Sequence, residues 1–286
     1  KNLGGTVTGT VRAEGSARAP DRAALDIRLS QLELVSAGER LIASSRFDAR
    51  MAGGTLVIPG IRLALLDDGW VRISGGGNID RALNISLDSA VPLHLANRFT
   101  NNLTNFTGTL AARGGIRGTR SHPQISADVT LDTIGFSIPS IGNEVREMNG
   151  RISFTPERIT LHDIRGLMGQ GRFGIQGAMG IRGLKPRDIG VDATARNISI
   201  EIPGTMQMTF DADAGITGTY PRISVRGDFT LLDGIYYQDL VLRPLQDIGS
   251  LADRKAKAPG DRPGPSLLAA VAMNLAVISR RPFAVD

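Results

Sequence analysis

The sequence predicts an all-β chain, laid out as an elongated and curved sheet with one short amphipathic helix. Three observations predict it. Apolar and polar residues alternate with period two along most of the 286 residues, which puts apolar side chains on one face of each strand. Gly, Pro and Asn/Asp recur at short intervals, as turn residues do in all-β chains. A strand unit also repeats: GIRGT at 115–119 returns as GITGT at 215–219, and Pro and an alternating strand follow each copy (PQISADVTL at 123–131, PRISVRGDFTL at 221–231). GTVTGT at 5–10 and GIRG at 180–183 echo the first half of the unit. Stacked strand units of this kind favour a quasi-one-dimensional sheet over a closed globule.

Taken in order, Leu25/Ile27/Leu29, Ile61/Leu63/Leu65, Val71/Ile73 and Leu83/Ile85/Leu87 mark the first strands. From 92 to 105 the period changes. Leu95, Phe99 and Leu103 stand at i, i+4 and i+8 on one helical face, Pro92 suits a helix start, and Asn101, Asn102 and Asn105 weaken the second half. Alternation resumes at Ile125/Ala127/Val129/Leu131 and Ile152/Phe154, then at Phe173/Ile175/Gly177/Met179/Ile181. The clearest strand is Met206, Met208, Phe210, Ala212, Ala214 and Ile216, with Gln207, Thr209, Asp211 and Asp213 opposite. It is followed by Ile223, Val225, Gly227, Phe229 and Leu231. Residues 246–266 read as a polar Pro/Gly loop, and Met273/Leu275/Val277 as a further strand. The whole amounts to about eighteen strands. At ~4.8 Å spacing they would make a trough of up to ~85 Å.

Two strands change phase midway. Leu25/Ile27/Leu29 gives way to Leu32/Leu34, and Val191/Ala193/Ala195 to Ile198/Ile200/Ile202. A β-bulge repairs such an offset and bends the strand, so the sheet should curve. The pairs Gly53-Gly54, Gly114-Gly115, Pro203-Gly204 and Asp233-Gly234, and the run Gly75-Gly76-Gly77, are expected as turns between strands.

Composition excludes several function classes. With 0 Cys there is no disulfide framework, thiolate zinc site or cysteine nucleophile. The three histidines, His94, His122 and His162, are far apart in sequence, which disfavours a histidine metal site. No run of about 18 apolar residues is present to span a membrane as a helix. The net charge of +5 is mild and aromatics are only 5%, so a basic stripe interleaved with aromatics for nucleic acid is not expected. GQGRFG at 169–174 matches a dinucleotide fingerprint literally, but a strand follows where a helix is required, so it reads as a glycine-kinked strand. Asp67-Asp68, Glu144/Glu147 and Asp211/Asp213 read as solvated faces rather than acid pairs, and His162-Asp163 has no nucleophile beside it. No catalytic residue, metal or cofactor is expected. The apolar face remains, either as the sealed core of a sandwich or as an open groove with a soft lining of Met and aliphatic residues. Periodicity leaves these two open.

The segments MNGRISF at 148–154, RITLHDIRG at 158–166 and GQGRFGIQG at 169–177, with the two Gly-Ile-x-Gly-Thr units and the region 91–119, resemble the degenerate glycine–strand repeats of TamB and its AsmA-like relatives. The resemblance covers nearly the whole chain. It implies a taco-shaped β-groove with an apolar lumen in the periplasm of a diderm bacterium, attached to the inner membrane through an N-terminal helix not present in this chain. It also implies shielding of phospholipid acyl chains in transit to the outer membrane, and support of outer-membrane protein assembly with an Omp85-family (TamA-like) barrel. Nucleic acid is not an implied partner. Parity nominates Phe173, Ile175, Met206, Met208, Phe210, Ile216, Ile223, Val225, Phe229 and Leu231 as lumen-facing. The expected organisation is a groove segment at 1–106 ending in the helix at about 92–105, a repeated groove segment at 107–245, the loop at 246–266, and further strand at 267–286 of a chain that continues. The competing reading is a β-solenoid or sandwich segment of an adhesin or scaffold with a sealed core.

Overall fold

A computed structural model describes residues 3–16, 23–36, 39–44, 46–100, 102–182, 185–202, 204–237, 271–279 and 284–285. They form one mixed sheet of 17 strands. In chain order these are β1 (Leu3–Glu14), β2 (Ala24–Ser36), β3 (Glu39–Ser44), β4 (Phe47–Ala52), β5 (Thr55–Leu65), β6 (Trp70–Asn78), β7 (Ala82–Pro92), β8 (Thr104–Gly118) and β9 (Pro123–Ile138). They continue as β10 (Asn143–Phe154), β11 (Arg158–Met168), β12 (Gly171–Arg182), β13 (Lys185–Ile202), β14 (Met206–Thr219), β15 (Arg222–Tyr236), β16 (Val271–Ser279) and β17 (Ala284–Val285). From β5 to β15 every strand pairs antiparallel with the next. β3 and β4 share one position between β2 and β5. β16 and β17 share another, parallel to β15. At ~4.8 Å per position the sheet runs about 70 Å across its strands. No described helix is long and apolar enough to cross a membrane.

A meander of this kind has two long rims. One carries the connections after β4, β6, β8, β10, β12 and β14. The other carries those after β5, β7, β9, β11 and β13. Backbone bonds stitch neighbouring hairpins along the first rim: Arg120 N–H donates to the Ile79 carbonyl (2.6 Å), Ile181 N–H to Glu157 (2.7 Å) and Tyr220 N–H to Arg187 (2.8 Å).

The expected phase changes are bulges. The β1–β2 register skips Ser30, and the β13–β14 register jumps from Ala195/Ala212 to Ile198/Phe210. Others were hidden in the sequence. Register also shifts near Gly60, Thr133, Glu147 and Asp163. Thr133, Glu147, Asp163 and Asn197 hold positive φ of 48–55°, and an apolar residue follows each: Ile134, Met148, Ile164 and Ile198. The four isoleucines buried among the described residues, Ile61, Ile134, Ile164 and Ile198, all sit directly after a bulge residue. The extra residue bends the strand toward the apolar face and leaves its successor at the inside of the bend. Neighbouring side chains take up the amides that a bulge removes from the ladder. Thr133 N–H donates to Asn149 Oδ1 (2.9 Å) and Asn197 N–H to Asp211 Oδ1 (2.8 Å).

Two expectations are corrected. The segment 92–105 is not an amphipathic helix. It holds one 3-10 stretch, Leu93–Arg98, Phe99 is exposed, and β8 has begun by Thr104. Here Leu93 packs on the cluster of Leu131, Ile134 and Ile164, and Asn97 grips both backbone groups of Phe106, so tertiary contacts rather than helical periodicity place it. Several glycines expected as turns lie inside strands: Gly75–Gly77 in β6, Gly114 and Gly115 in β8, and Gly234 in β15. Added Cβ atoms at Gly75, Gly76 and Gly77 would strike the carbonyl oxygens of adjacent strands, so these residues permit close approach of backbones in a strongly curved sheet. Gly53-Gly54 is a turn, as expected. In GQGRFG at 169–174 the strand read from its alternation is present from Gly171, while Gly169-Gln170 form a turn rather than a kink within the strand. Val271–Ser279 is a strand, and the 246–266 loop lies outside the described residues.

Candidate functional site

The apolar face of β9 to β14 forms an open hollow of about 410 Å³, within the range of small-molecule sites. Six successive strands line it, and six strands of a flat sheet could not converge on one space. Its wall includes Phe136, Ile138, Val145, Met148, Phe173, Ile175, Ile198 and Phe210, and Thr194 is its one polar residue. Val145 and Ile198 are buried, whereas the other apolar lining residues stay partly exposed. The face is thus lined but not filled.

The bulges make this geometry. Ile198 reaches the hollow because Arg196 and Asn197 add a residue to β13, and Met148 because Glu147 does so in β10. Gly171 makes room for the β13 bulge: a Cβ there would fall within contact distance of the Arg196 and Asn197 carbonyl oxygens. Arg196 and Asp213 brace the outer side with a bidentate pair at 2.7 and 2.9 Å. The hydrogen bond to Asp213 holds the Arg196 guanidinium above its usual pKa. Asp211 and Asp213 therefore serve the bulge, one capping an amide and one pairing with Arg196.

Of the ten residues nominated by parity, Phe173, Ile175 and Phe210 line the hollow. The other seven continue the same face. Phe210 pairs with Leu231, Ala212 with Phe229, Ile216 with Val225 and Gly218 with Ile223, and directly paired residues share a face. Met206 and Met208 stand opposite Ile202 and Ile200. Phe210 stacks on Phe229 with ring centroids 4.6 Å apart. All ten are partly buried. Parity missed Phe136, Ile138, Val145, Met148 and Met168. The first two lie past the Thr133 bulge, where the phase of β9 changes. Ile198 carried a visible signal in the phase change of β13.

The site offers extended apolar contact, and no cluster of three titratable residues able to hold a metal occurs among the described residues. The protein class this defines is a β-groove with an apolar interior. Residues 160–259, from β11 past the end of β15, are similar to the family model of the TamB C-terminal domain. Comparison with curated proteins and with solved structures gave no match. The TamB family comprises transport and assembly modules of the cell envelope.

Proposed function

We propose that the groove shields phospholipid acyl chains during transport between inner and outer membrane and supports outer-membrane protein assembly. One observation carries this reading: an open apolar hollow lined by six strands, most of whose lining side chains stay partly exposed. A folded chain gains nothing from leaving such a face open, and a large exposed apolar surface marks a binding site. Each acyl CH₂ moved from water onto it contributes about 0.8 kcal/mol. The affinity is additive along the chain and indifferent to bond chemistry, as a passive conduit requires. Ile216, Ile223, Val225, Phe229 and Leu231 extend the path beyond the hollow, and Met206 and Met208 give it an adaptable wall. In this reading the protein is held at the inner membrane by an N-terminal helix outside this chain and works with an Omp85-family barrel. The partly exposed lining disfavours the sealed scaffold core.

A photo-crosslinking residue at Phe210, compared with one at the exposed Gln207 on the opposite face of β14, tests the reading in cells. A phospholipid adduct at 210 and none at 207 is the expected result. Absence of lipid from both positions would overturn it.

A further inference from the structure

The two rims of the groove carry different charge. Along the rim formed by the connections after β6, β8, β10, β12 and β14, every hairpin presents an exposed arginine: Arg81, Arg120, Arg158, Arg182, Arg187 and Arg222. The same rim carries three exposed acids, Asp80, Glu157 and Asp188, of which Asp80 faces Arg120 at 3.3 Å and Asp188 faces Arg187 at 3.9 Å, so arginines outnumber acids two to one. Arg81, Arg158 and Arg222 form no ion pair among the described residues. The opposite rim carries more acids than free cations, and its Arg146 lies 4.0 Å from Glu144 and donates to the Gly169 carbonyl. Asp67 and Asp68 lie after β5, Arg98 is paired with Glu39 after β7, Glu144 lies beside the connection after β9, and Gly169-Gln170 and Gly204-Thr205 close the next two.

We infer that the arginine rim holds the phosphate of glycerophospholipids whose acyl chains lie in the groove, parallel to the strands. The inference rests on the acyl-chain reading above. It specifies where the head group sits and which lipids are favoured. Charge complementarity is the first support. Guanidinium groups match phosphate oxygens with paired donors, and successive hairpins stand about 10 Å apart, two strand spacings. That is close to one Debye length at physiological salt, so neighbouring arginines reinforce one another. The inter-hairpin backbone bonds hold that spacing.

Length is the second support. On β14, Ala214 at the hollow lies five positions from Thr219 at the arginine rim, or about 17 Å at 3.4 Å per residue. One leaflet of bilayer hydrocarbon is about 15 Å deep. A lipid with its phosphate at this rim therefore reaches the hollow with its chain ends. Ile216 and Val225, paired across β14 and β15, lie along the way. The hollow also approaches the other rim, but there Glu144, Glu147 and Glu201 outnumber the exposed Arg146, a balance unfavourable to a phosphate.

The test is uptake from phosphatidylcholine vesicles doped with pyrene-labelled phosphatidylglycerol, or with the diacylglycerol bearing the same chains. The whole 286-residue chain is compared with the R81Q/R158Q/R222Q variant. The wild type should favour phosphatidylglycerol over diacylglycerol about three- to thirtyfold at low salt, as three exposed charge pairings allow, and less as salt rises. The variant should lose that preference and keep its diacylglycerol uptake. Arg146→Gln, near the opposite rim, should change neither, and inorganic phosphate should not displace diacylglycerol. A triple variant that keeps the full preference overturns the rim inference. So does diacylglycerol uptake with no phosphate preference in the wild type, although that result leaves the groove reading intact. A wild type that takes up neither lipid overturns the groove reading itself. Circular dichroism of the variant separates lost preference from lost fold.

Discussion

β1 and the bulged strands β9 to β13 share one sequence pattern and end in opposite environments. Val7 and Val11 alternate with polar residues as cleanly as any pair in the chain, yet they are 63% and 65% exposed. Ile134 and Ile198 follow a polar residue that breaks the alternation, and both are 2% exposed. Alternation chooses a face, but it does not bury the face. Burial needs a second sheet, or a sheet bent back on itself, and here bulges do the bending. β1 pairs with β2 alone among the described strands, so its apolar face has no surface folded over it. β9 to β13 have neighbours on both sides and a bend within reach, and the core cluster of Leu131, Ile134 and Ile164 forms there.

The sharpest way to break this comparison is truncation at matched positions. Ile198→Ala should cost about 2–4 kcal/mol, because the bulged backbone cannot collapse into the space left behind. Val11→Ala should cost less than about 0.5 kcal/mol, as exposed substitutions do. Urea unfolding of both variants, followed by circular dichroism with unchanged m-values, measures the difference. Equal losses would mean that bulge-following residues have no special share in the core.

A smaller effect is expected from the side chain that caps the bulge. Asp211→Ala removes the acceptor for the Asn197 amide and should cost about 1 kcal/mol, the usual worth of such a bond. The local signature discriminates better than the global one. Amide exchange at Asn197 and Ile198 should accelerate while exchange in β1 stays unchanged. Uniform acceleration across the sheet would show that the cap supports the whole fold rather than one bend.

Much of the architecture was legible because it depends on local periodicity. The strand pattern, the two bulges that reverse an apolar phase, and the face shared by β14 and β15 follow from side chains alone. The hollow was only half legible for a physical reason. At Ala195/Ile198 the bulge lies between two apolar runs, so the phase change can be seen. At Thr133 and Glu147 it precedes a single apolar residue within a mixed stretch, and Phe136, Ile138, Val145 and Met148 are lost to parity. The glycines misled for a related reason. Turn and in-strand glycines are identical in sequence, and only the proximity of a neighbouring carbonyl separates Gly76 from Gly53. The segment 92–105 misled because three apolar residues at helical spacing also suit a loop that inserts one of its neighbours, Leu93, into the groove.

The polar face admits the smallest test, and it lies on the β2–β4 side of the comparison. Asp26 accepts two hydrogen bonds from Arg28 on its own strand, each 2.8 Å, and one from Arg50 across the pair at 3.2 Å. These bonds, the Arg28 contact first, hold its carboxyl below the usual aspartate value. A carboxyl whose pKa is lowered by folding binds protons more readily in the unfolded chain. Its stabilisation is present above the ordinary aspartate range and disappears as the pH falls through the folded value. Asp26→Asn should therefore lower stability slightly at neutral pH and not at all in strong acid, where wild type and variant converge. Because the pair is solvated, salt should shrink the neutral-pH difference. Urea midpoints at pH 7 and in strong acid, each at two salt concentrations, read this out. A difference that persists in acid would assign the Asp26 side chain a packing role instead. The outer face would then, like the inner one, be held by shape rather than by charge.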